Sequence, residues 1–431
     1  MTDESEPPAG RSRSGWMSRA MAGSALTVVL IWAVWSVSLL VYQEVVQQRY
    51  VIERPDRVLV WTPDETRSRR DPQRPYLNED VLNSHVSFDS EYYLSIAVGG
   101  YDDPDVTQMS PEDGSGELAL NYAFMPAYPI AMRLIAGPLQ ALGLAPMAAA
   151  SVAGVTLSLL AALIASLALF SIARRHLGDG AGVRAAFYLL VFPTGFFLAQ
   201  VYTEAFFLAL SLGSLALLDQ RRPLLAGIAA VLATLTRPVG VLLAIPIAMT
   251  LVAGLLRRGD DQEPEARGLR DLAIWTAAAL LPVAAYLVWS ASPLGQAFTT
   301  VQSQYFGQQP LAFEQAWNNW RDALAGWDEL LPETRLYYVL ELAAVGLAVV
   351  ASLWALRRWP AIAVFSLAVV LIPLTTGAPQ SMARYVLAAP SIFLLLAALG
   401  ERVAFDRTWT LVSVLLLAML TALFSFDFWV A

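Results

Sequence analysis

Acidic residues and tyrosines crowd the stretch from His85 to Asp103, whose centre reads Phe88-Asp89-Ser90-Glu91-Tyr92-Tyr93-Leu94-Ser95-Ile96-Ala97 and which ends in Gly99-Gly100-Tyr101-Asp102-Asp103. A second aromatic run, Asn121-Tyr122-Ala123-Phe124-Met125-Pro126-Ala127-Tyr128-Pro129, follows it. A carboxylate held among aromatic rings can act as a general base on a hydroxyl group. Asp89 is the strongest candidate. If residues 88–98 are helical, Asp89 shares a face with Tyr92, Tyr93 and Ile96, whereas Glu91 points away, because positions two apart on a helix do not face each other. Asp89 and Glu91 are a carboxylate pair only if the chain is extended there. Asp89 also stands where a helix would start, and aspartate is a preferred N-cap. Asp102, Asp103 and Asp105 form an acidic turn around Pro104, with oxygen donors suited to Mg²⁺ or Ca²⁺. Such turns are ordinarily solvated, and no resident metal or cofactor is assigned. His85 could hydrogen-bond a phosphate or a sugar, although a lone loop histidine is more often solvated.

Further along, single polar residues interrupt apolar sequence. Glu204 lies in Gln200-Val201-Tyr202-Thr203-Glu204, between two apolar runs. An acid at the edge of hydrocarbon needs a partner or a cavity, so Glu204 reads as a substrate contact or as the partner of Arg237. Arg237 precedes Pro238, and Arg384 precedes Tyr385. An arginine at such a break can bind phosphate and stabilise charge growing on a leaving group. Its plainer use is to snorkel from a helix end to lipid headgroups.

The elements that must position these residues are membrane helices. Hydrophobic residues make up 57% of the 431 and charged residues 15%, and the apolar runs have the length of ~20 residues that crosses ~30 Å of hydrocarbon. After a polar tail at 1–20, read as disordered and cytoplasmic, the first span covers about 22–42; it lacks a cleavage site and reads as retained. Later spans are placed near 145–173, 182–199, 202–218, 222–236, 238–256, 271–291, 336–356, 359–375, 385–400 and 408–428, about eleven in all. Residues 126–140 read as a helix on the membrane interface.

This alternation puts Arg174, Arg175, Arg221, Arg222, Arg257, Arg258, Arg267, Arg270, Arg357, Arg358, Arg402 and Arg407 in short cytoplasmic loops, as the positive-inside rule requires. It gathers Asp89, Glu204, Arg237 and Arg384 on the outer face. There they join a first outer loop (43–140, with the reactive stretch at 85–103) and a second at 292–335. The second carries Phe313, Trp317, Trp320 and Trp327, suited to an interfacial helix. The expected unit is therefore a multi-pass plasma-membrane domain over 21–431 with its N-terminus inside.

Composition excludes several alternatives. The chain has no cysteine, hence no disulfide, iron–sulfur or thiolate metal site. Its two histidines, His85 and His176, fall on opposite sides of the membrane and leave no pair for zinc. The net charge is −8, and all positive charge is arginine scattered among loops, which is no nucleic-acid footprint. No G-x-G-x-x-G follows a strand, so no soluble nucleotide-binding domain is indicated.

Phe-Asp-Ser-x-Tyr-Tyr-Leu-x-Ile-Ala-x-x-Gly-Tyr from Phe88, then Ala-Phe-x-Pro-x-Tyr-Pro from Ala123, resembles the bacterial relatives of the PIG-V mannosyltransferase family, integral-membrane glycosyltransferases of the GT-C type. Phe192-Pro193, Tyr202-Thr203-Glu204-Ala205-Phe206, Leu235-Thr236-Arg237-Pro238-Val239-Gly240 and Ala383-Arg384-Tyr385 continue the resemblance in order, over most of the chain. Phe88 stands where that family usually has tryptophan. The arginine-only, alanine-rich composition fits a GC-rich bacterial genome.

The resemblance implies an all-α GT-C fold with about eleven transmembrane helices. It makes Asp89 the catalytic aspartate of the first outer loop, with Glu91, Tyr93, Asp102, Tyr202, Glu204, Arg237, Arg384, Tyr385 and His85 as candidate substrate-binding residues. The implied reaction is inverting and metal-free: a sugar, mannose by family, leaves a polyprenyl phosphate and joins a hydroxyl of a glycolipid, glycan or protein. In-line displacement asks for the base and the phosphate on opposite faces of the sugar, hence for Asp89 apart from the arginines. Two other classes fit the bare pattern. A lipid or small-molecule transporter would place ionisable residues at the midplane and show related halves, and a non-catalytic cell-envelope scaffold would tolerate Asp89→Asn.

Overall fold

In the computed structural model, the described residues are 13–49, 80–104, 106–114, 116–257, 266–330, 332–377, 380–426 and 430. Helix dominates them. The first half holds α1 (Arg13–Arg49), α2 (Ser90–Val98), α3 (Ala127–Ala141), α4 (Pro146–Leu177), α5 (Asp179–Leu190), α6 (Glu204–Asp219), α7 (Pro223–Thr236) and α8 (Ala244–Arg257). The second half holds α9 (Ala266–Ser290), α10 (Pro293–Gln304), α11 (Phe313–Ala325), α12 (Pro332–Leu356), α13 (Pro360–Leu374), α14 (Met382–Tyr385), α15 (Pro390–Leu399) and α16 (Val403–Ser425). Proline opens α4, α7, α10, α12, α13 and α15. Its fixed φ suits the first helical position, where its missing N–H has no partner to lose. A short antiparallel ribbon, β1 (Gln108–Met109) with β2 (Leu118–Ala119), pairs Gln108 with Ala119.

The core gathers around α4, which packs on α1, α3, α5 and α6. Its buried face is small: Ala150, Ala153, Ala161, Ala162, Ala165 and Ala173. Small residues let helices approach closely where lipid offers no hydrophobic drive between them. Large side chains fill the spaces so defined, among them Tyr128, Tyr188, Tyr202, Phe196, Phe207 and Phe393, all fully buried. The opposite surfaces stay apolar. On α1, Leu26, Leu30, Val34, Val37, Val41 and Val45 form an exposed stripe at helical spacing, the pattern of a helix facing lipid. On α3, Tyr128, Met132 and Ala136 turn inward while Ile130 and Leu134 stay exposed.

Among the described residues six helices are long and apolar enough to cross a membrane: Gly23–Gln48, Pro146–Leu177, Pro238–Leu256, Gly268–Ser290, Thr334–Leu356 and Val403–Ser425. The bent pair Met382–Ala388 and Pro390–Leu399, turned by 81°, makes a seventh if counted as one span. The expected count of eleven is thus not matched by helix length. The expected spans at 182–199 and 202–218 are α5, a 3₁₀ turn at Gly195–Ala199 and α6; α5 and α6 have 12 and 16 residues. At a rise of ~1.5 Å per residue, neither helix reaches across ~30 Å. A short helix buried among other helices is as apolar as a span, so hydropathy alone does not separate the two. Residues 1–12 of the expected tail and 50–79 of the first outer loop, with Arg54, Arg57, Arg67, Arg69, Arg70 and Arg74, lie outside the described residues, as do Asp105 and Arg258; residues 13–20 belong to α1.

Candidate active site

Asp89 stands immediately before α2, in the N-cap position, yet its side chain makes no capping hydrogen bond. The carboxylate turns outward to Arg384: Arg384 Nη1 donates to Asp89 Oδ2 at 2.8 Å. The backbone is arranged for this. Phe88 adopts a left-handed φ of 53°, a conformation rare for a bulky residue. The turn is held by Glu91 N–H donating to the Phe88 carbonyl at 3.0 Å. Tyr202 secures it from behind, its hydroxyl accepting from Asp89 N–H at 3.3 Å and donating to the Ser87 carbonyl at 3.0 Å. At the other end of α2, Arg133 of α3 donates to the carbonyls of Ala97, Ile96 and Val98 at 2.7, 2.9 and 3.3 Å, a cation on a helix C-terminus.

Arg384 lies in the four-residue helix α14, and it too follows a left-handed residue, Ser381 with φ 66°. It is only 4% exposed and meets Glu204, 1% exposed, with Nε 3.2 Å from Oε1. The same Glu204 oxygen accepts from Arg237 Nη2, and Arg237 Nε donates to the Thr203 hydroxyl at 3.0 Å. Two arginines and two carboxylates thus alternate in a chain, Asp89–Arg384–Glu204–Arg237. Rings enclose it. The Arg384 guanidinium lies over Phe197, Tyr202 and Tyr385, and that of Arg237 over Tyr385. Buried charges survive only when paired in this way, and Glu204 has the Arg237 partner that its sequence position asked for.

A cavity of about 250 Å³ opens beside this chain, and Asp89, Tyr93, Arg237, Arg384 and Tyr385 all line it. Its other walls come from distant elements: Phe124 before α3, Tyr286 of α9, Phe298 and Gln302 of α10, and Val369, Ile372 and Pro373 of α13. Tyr93 stacks edge-on to Phe124 and Tyr128. Burial, reinforced by the Asp89 charge, pushes its phenol well above the usual range, so it serves as a neutral hydrogen-bonding group.

The expected separation of Asp89 from the arginines is absent, because Asp89 and Arg384 are in direct contact. Other expected site residues lie elsewhere. His85 is buried behind the cavity wall, its Nδ1 3.1 Å from Gln200 Oε1; Gln200 Nε2 donates to Gln43 Oε1 at 3.2 Å, and Gln43 Nε2 to the Ser84 carbonyl at 3.0 Å. Burial lowers the His85 pKa to about 4, which keeps the ring neutral. It is neither solvated nor in the cavity. Glu91, on the helical α2, does not line the cavity, and Tyr202 supports it from behind. Asp102 is exposed and accepts from the Tyr122 hydroxyl at 2.5 Å, while Asp103 accepts from the Ser95 hydroxyl at 2.8 Å. Among the described residues no group of three or more histidines or acids could hold a metal ion.

The mannosyltransferase (PIG-V) family model matches residues 29–255, more than half of the chain. The chain belongs to this family. The match covers Asp89, Glu204 and Arg237 of the PIG-V member, whereas Arg384 lies beyond it. No curated protein matches the sequence. Among solved structures, the Archaeoglobus fulgidus oligosaccharyltransferase in complex with zinc and sulfate aligns at 13% identity and a TM-score of 0.43, over 92% of this chain and 53% of that one. The chain therefore spans about half the length of that enzyme. ArnT from Cupriavidus metallidurans bound to undecaprenyl phosphate aligns at 14% identity and a TM-score of 0.44, over 96% and 77%. Oligosaccharyltransferase AglB from Archaeoglobus fulgidus, in complex with an inhibitory peptide and a dolichol-phosphate, aligns at 14% and 0.38, over 91% and 55%.

Proposed function

We propose that this multi-pass glycosyltransferase moves mannose, with inversion, from a polyprenyl-phosphate donor to an acceptor hydroxyl at the outer face of the plasma membrane, in a GT-C arrangement. The observation that carries the reading is one cavity lined at once by Asp89, a carboxylate with 22% of its side chain exposed, and by Arg384 and Arg237, which are paired with Asp89 and Glu204. Membership of the mannosyltransferase family supports mannose, and the alternation of arginines along the chain supports the outer face with the N-terminus inside.

In the reaction, the acceptor oxygen bonds to the anomeric carbon while its proton passes to Asp89. The bond from that carbon to the phosphate oxygen breaks, and the electron pair stays on the phosphate, where guanidinium groups stabilise it. At about 250 Å³, the cavity is smaller than the ~300–1,000 Å³ of a usual small-molecule site. It suits the sugar and phosphate, with the prenyl chain left in lipid. Because Asp89 and Arg384 are paired in the resting protein, that pair opens as the donor phosphate takes the guanidinium, which frees the carboxylate for the acceptor.

The test is transfer of labelled sugar from polyprenyl-phosphate-mannose to a membrane extract by purified wild type and Asp89→Asn. Transfer by wild type and loss in the variant, with both proteins intact, is the expected result. Equal transfer by the two removes Asp89 as base, and no transfer by wild type with several donors removes the glycosyltransferase reading.

A further inference from the structure

Glu341 is an acid within the apolar span Thr334–Leu356 of α12, and it is fully buried. An ionisable group inside a membrane helix is costly unless it has a defined partner. Its partners are backbone and a neighbouring hydroxyl: Glu341 Oε2 accepts from Ala383 N–H at 3.1 Å, and Tyr337 hydrogen-bonds the same carboxyl. One turn earlier on α12, the Tyr337 hydroxyl accepts from Ser381 N–H at 3.1 Å. Two side chains of one helix face thus grip both sides of the turn that ends in Arg384. That turn needs holding. Ser381 is left-handed without being glycine, a conformation that persists only where surrounding contacts impose it. The turn also opens the four-residue helix α14, which is too short to stand by its own hydrogen bonds.

We infer that Glu341 is a positioning residue for Arg384: through the Ala383 N–H it fixes the turn that carries the guanidinium between Asp89 and Glu204. The inference rests on the proposed reading in which Arg384 binds the donor phosphate. Glu341 does not itself line the cavity and reaches it through the turn that carries Arg384, so its effect should follow the donor and not the acceptor. The hydrogen bond uses an acceptor oxygen, which glutamine retains and alanine lacks.

The experiment compares full-length wild type, Glu341→Gln, Glu341→Ala, Arg384→Lys and the double variant Glu341→Ala/Arg384→Lys in detergent. Two readouts are taken: the thermal unfolding midpoint, and KM for polyprenyl-phosphate-mannose and for the acceptor. Glu341→Ala should raise the donor KM by about tenfold, the cost of leaving the buried Ala383 N–H without its acceptor, with the acceptor KM unchanged. Glu341→Gln should stay within about twofold of wild type, and the double variant within about twofold of Arg384→Lys alone, since residues acting through one group do not add. Additive losses in the double variant, equal rises in both KM values, or a tenfold donor defect in Glu341→Gln overturn the inference. If Glu341→Ala does not purify, Glu341→Leu, which keeps the volume and lacks the acceptor oxygen, replaces it in every comparison. If wild type transfers no sugar, the proposed function fails, and the unfolding midpoints still test the positioning: non-additive shifts sustain it and additive shifts overturn it.

Discussion

In the proposed reaction Asp89 has two claims on it: the proton of an acceptor hydroxyl and the guanidinium of Arg384, 2.8 Å away. The second claim competes with the donor phosphate for the same arginine. Removing the charge of Asp89 should therefore strengthen donor binding while abolishing transfer. Asp89→Asn is expected to bind undecaprenyl phosphate about threefold to tenfold more tightly than wild type, the range of a partly exposed charged contact, as read by titration of labelled lipid in detergent. Equal affinity would mean that the pair does not restrain the donor. Much at this scale was legible in the sequence. Asp89, Arg237 and Arg384 were each marked by an ionisable group at an apolar edge, and Asp89 does stand at the N-cap position, with its carboxylate turned to Arg384 instead of a backbone N–H. Arg133 and Glu341 were overlooked although each is a lone charge in an apolar run, the same signal. What the sequence could not carry is conformation: nothing in Phe88 or Ser381 announces a left-handed backbone, since neither is glycine.

At the scale of elements, the turn after α7 shows how tightly Arg237 is placed. The chain folds back at Pro238–Leu243, and a Cβ on Gly240 would lie 2.4 Å from both the Ala233 carbonyl carbon and the Thr234 nitrogen. Backbone atoms inside a helix cannot give way. Gly240→Ala should push the turn off α7, cost about 1–3 kcal/mol as overpacking does, and lower transfer through a displaced Arg237. Gly254, in α8, has nothing within 4 Å of such a Cβ, so Gly254→Ala is the control that should leave both unfolding midpoint and transfer near wild type. The expectation of a span at 238–256 was met by Pro238–Leu256, but its first six residues are a 3₁₀ turn. Hydropathy reports that a segment is apolar and not how it is wound, and the same blindness merged α5 and α6 with true spans.

For the whole molecule, the buried network of His85, Gln200 and Gln43 ties α1 to the turns before α2 and α6, and it makes folding sensitive to acid. His85 in the folded protein takes a proton only near pH 4, whereas in the unfolded chain it does so near pH 6.5. Protons therefore favour unfolding in that window. Stability conferred above pH 6.5 is lost as pH falls toward 4, on the order of 3 kcal/mol in full. The unfolding midpoint should fall between about pH 7 and pH 5, and His85→Asn, whose amide can donate to Gln200 without titrating, should flatten the slope. An unchanged slope would assign the acid sensitivity to other groups. The contacts among Asp89, Arg384, Glu204 and Arg237 agree with the expectation that these residues lie together, and charge bias, which constrains where loops lie, carried no sign of which of them touch.

The contact between Asp89 and Arg384 joins residues 295 apart in the chain, one inside the segment that matches the family model and one well beyond it. Such a chain is hard to divide. A gene fragment that keeps the recognisable half encodes Asp89 without its counter-charge, so neither half carries the pair alone.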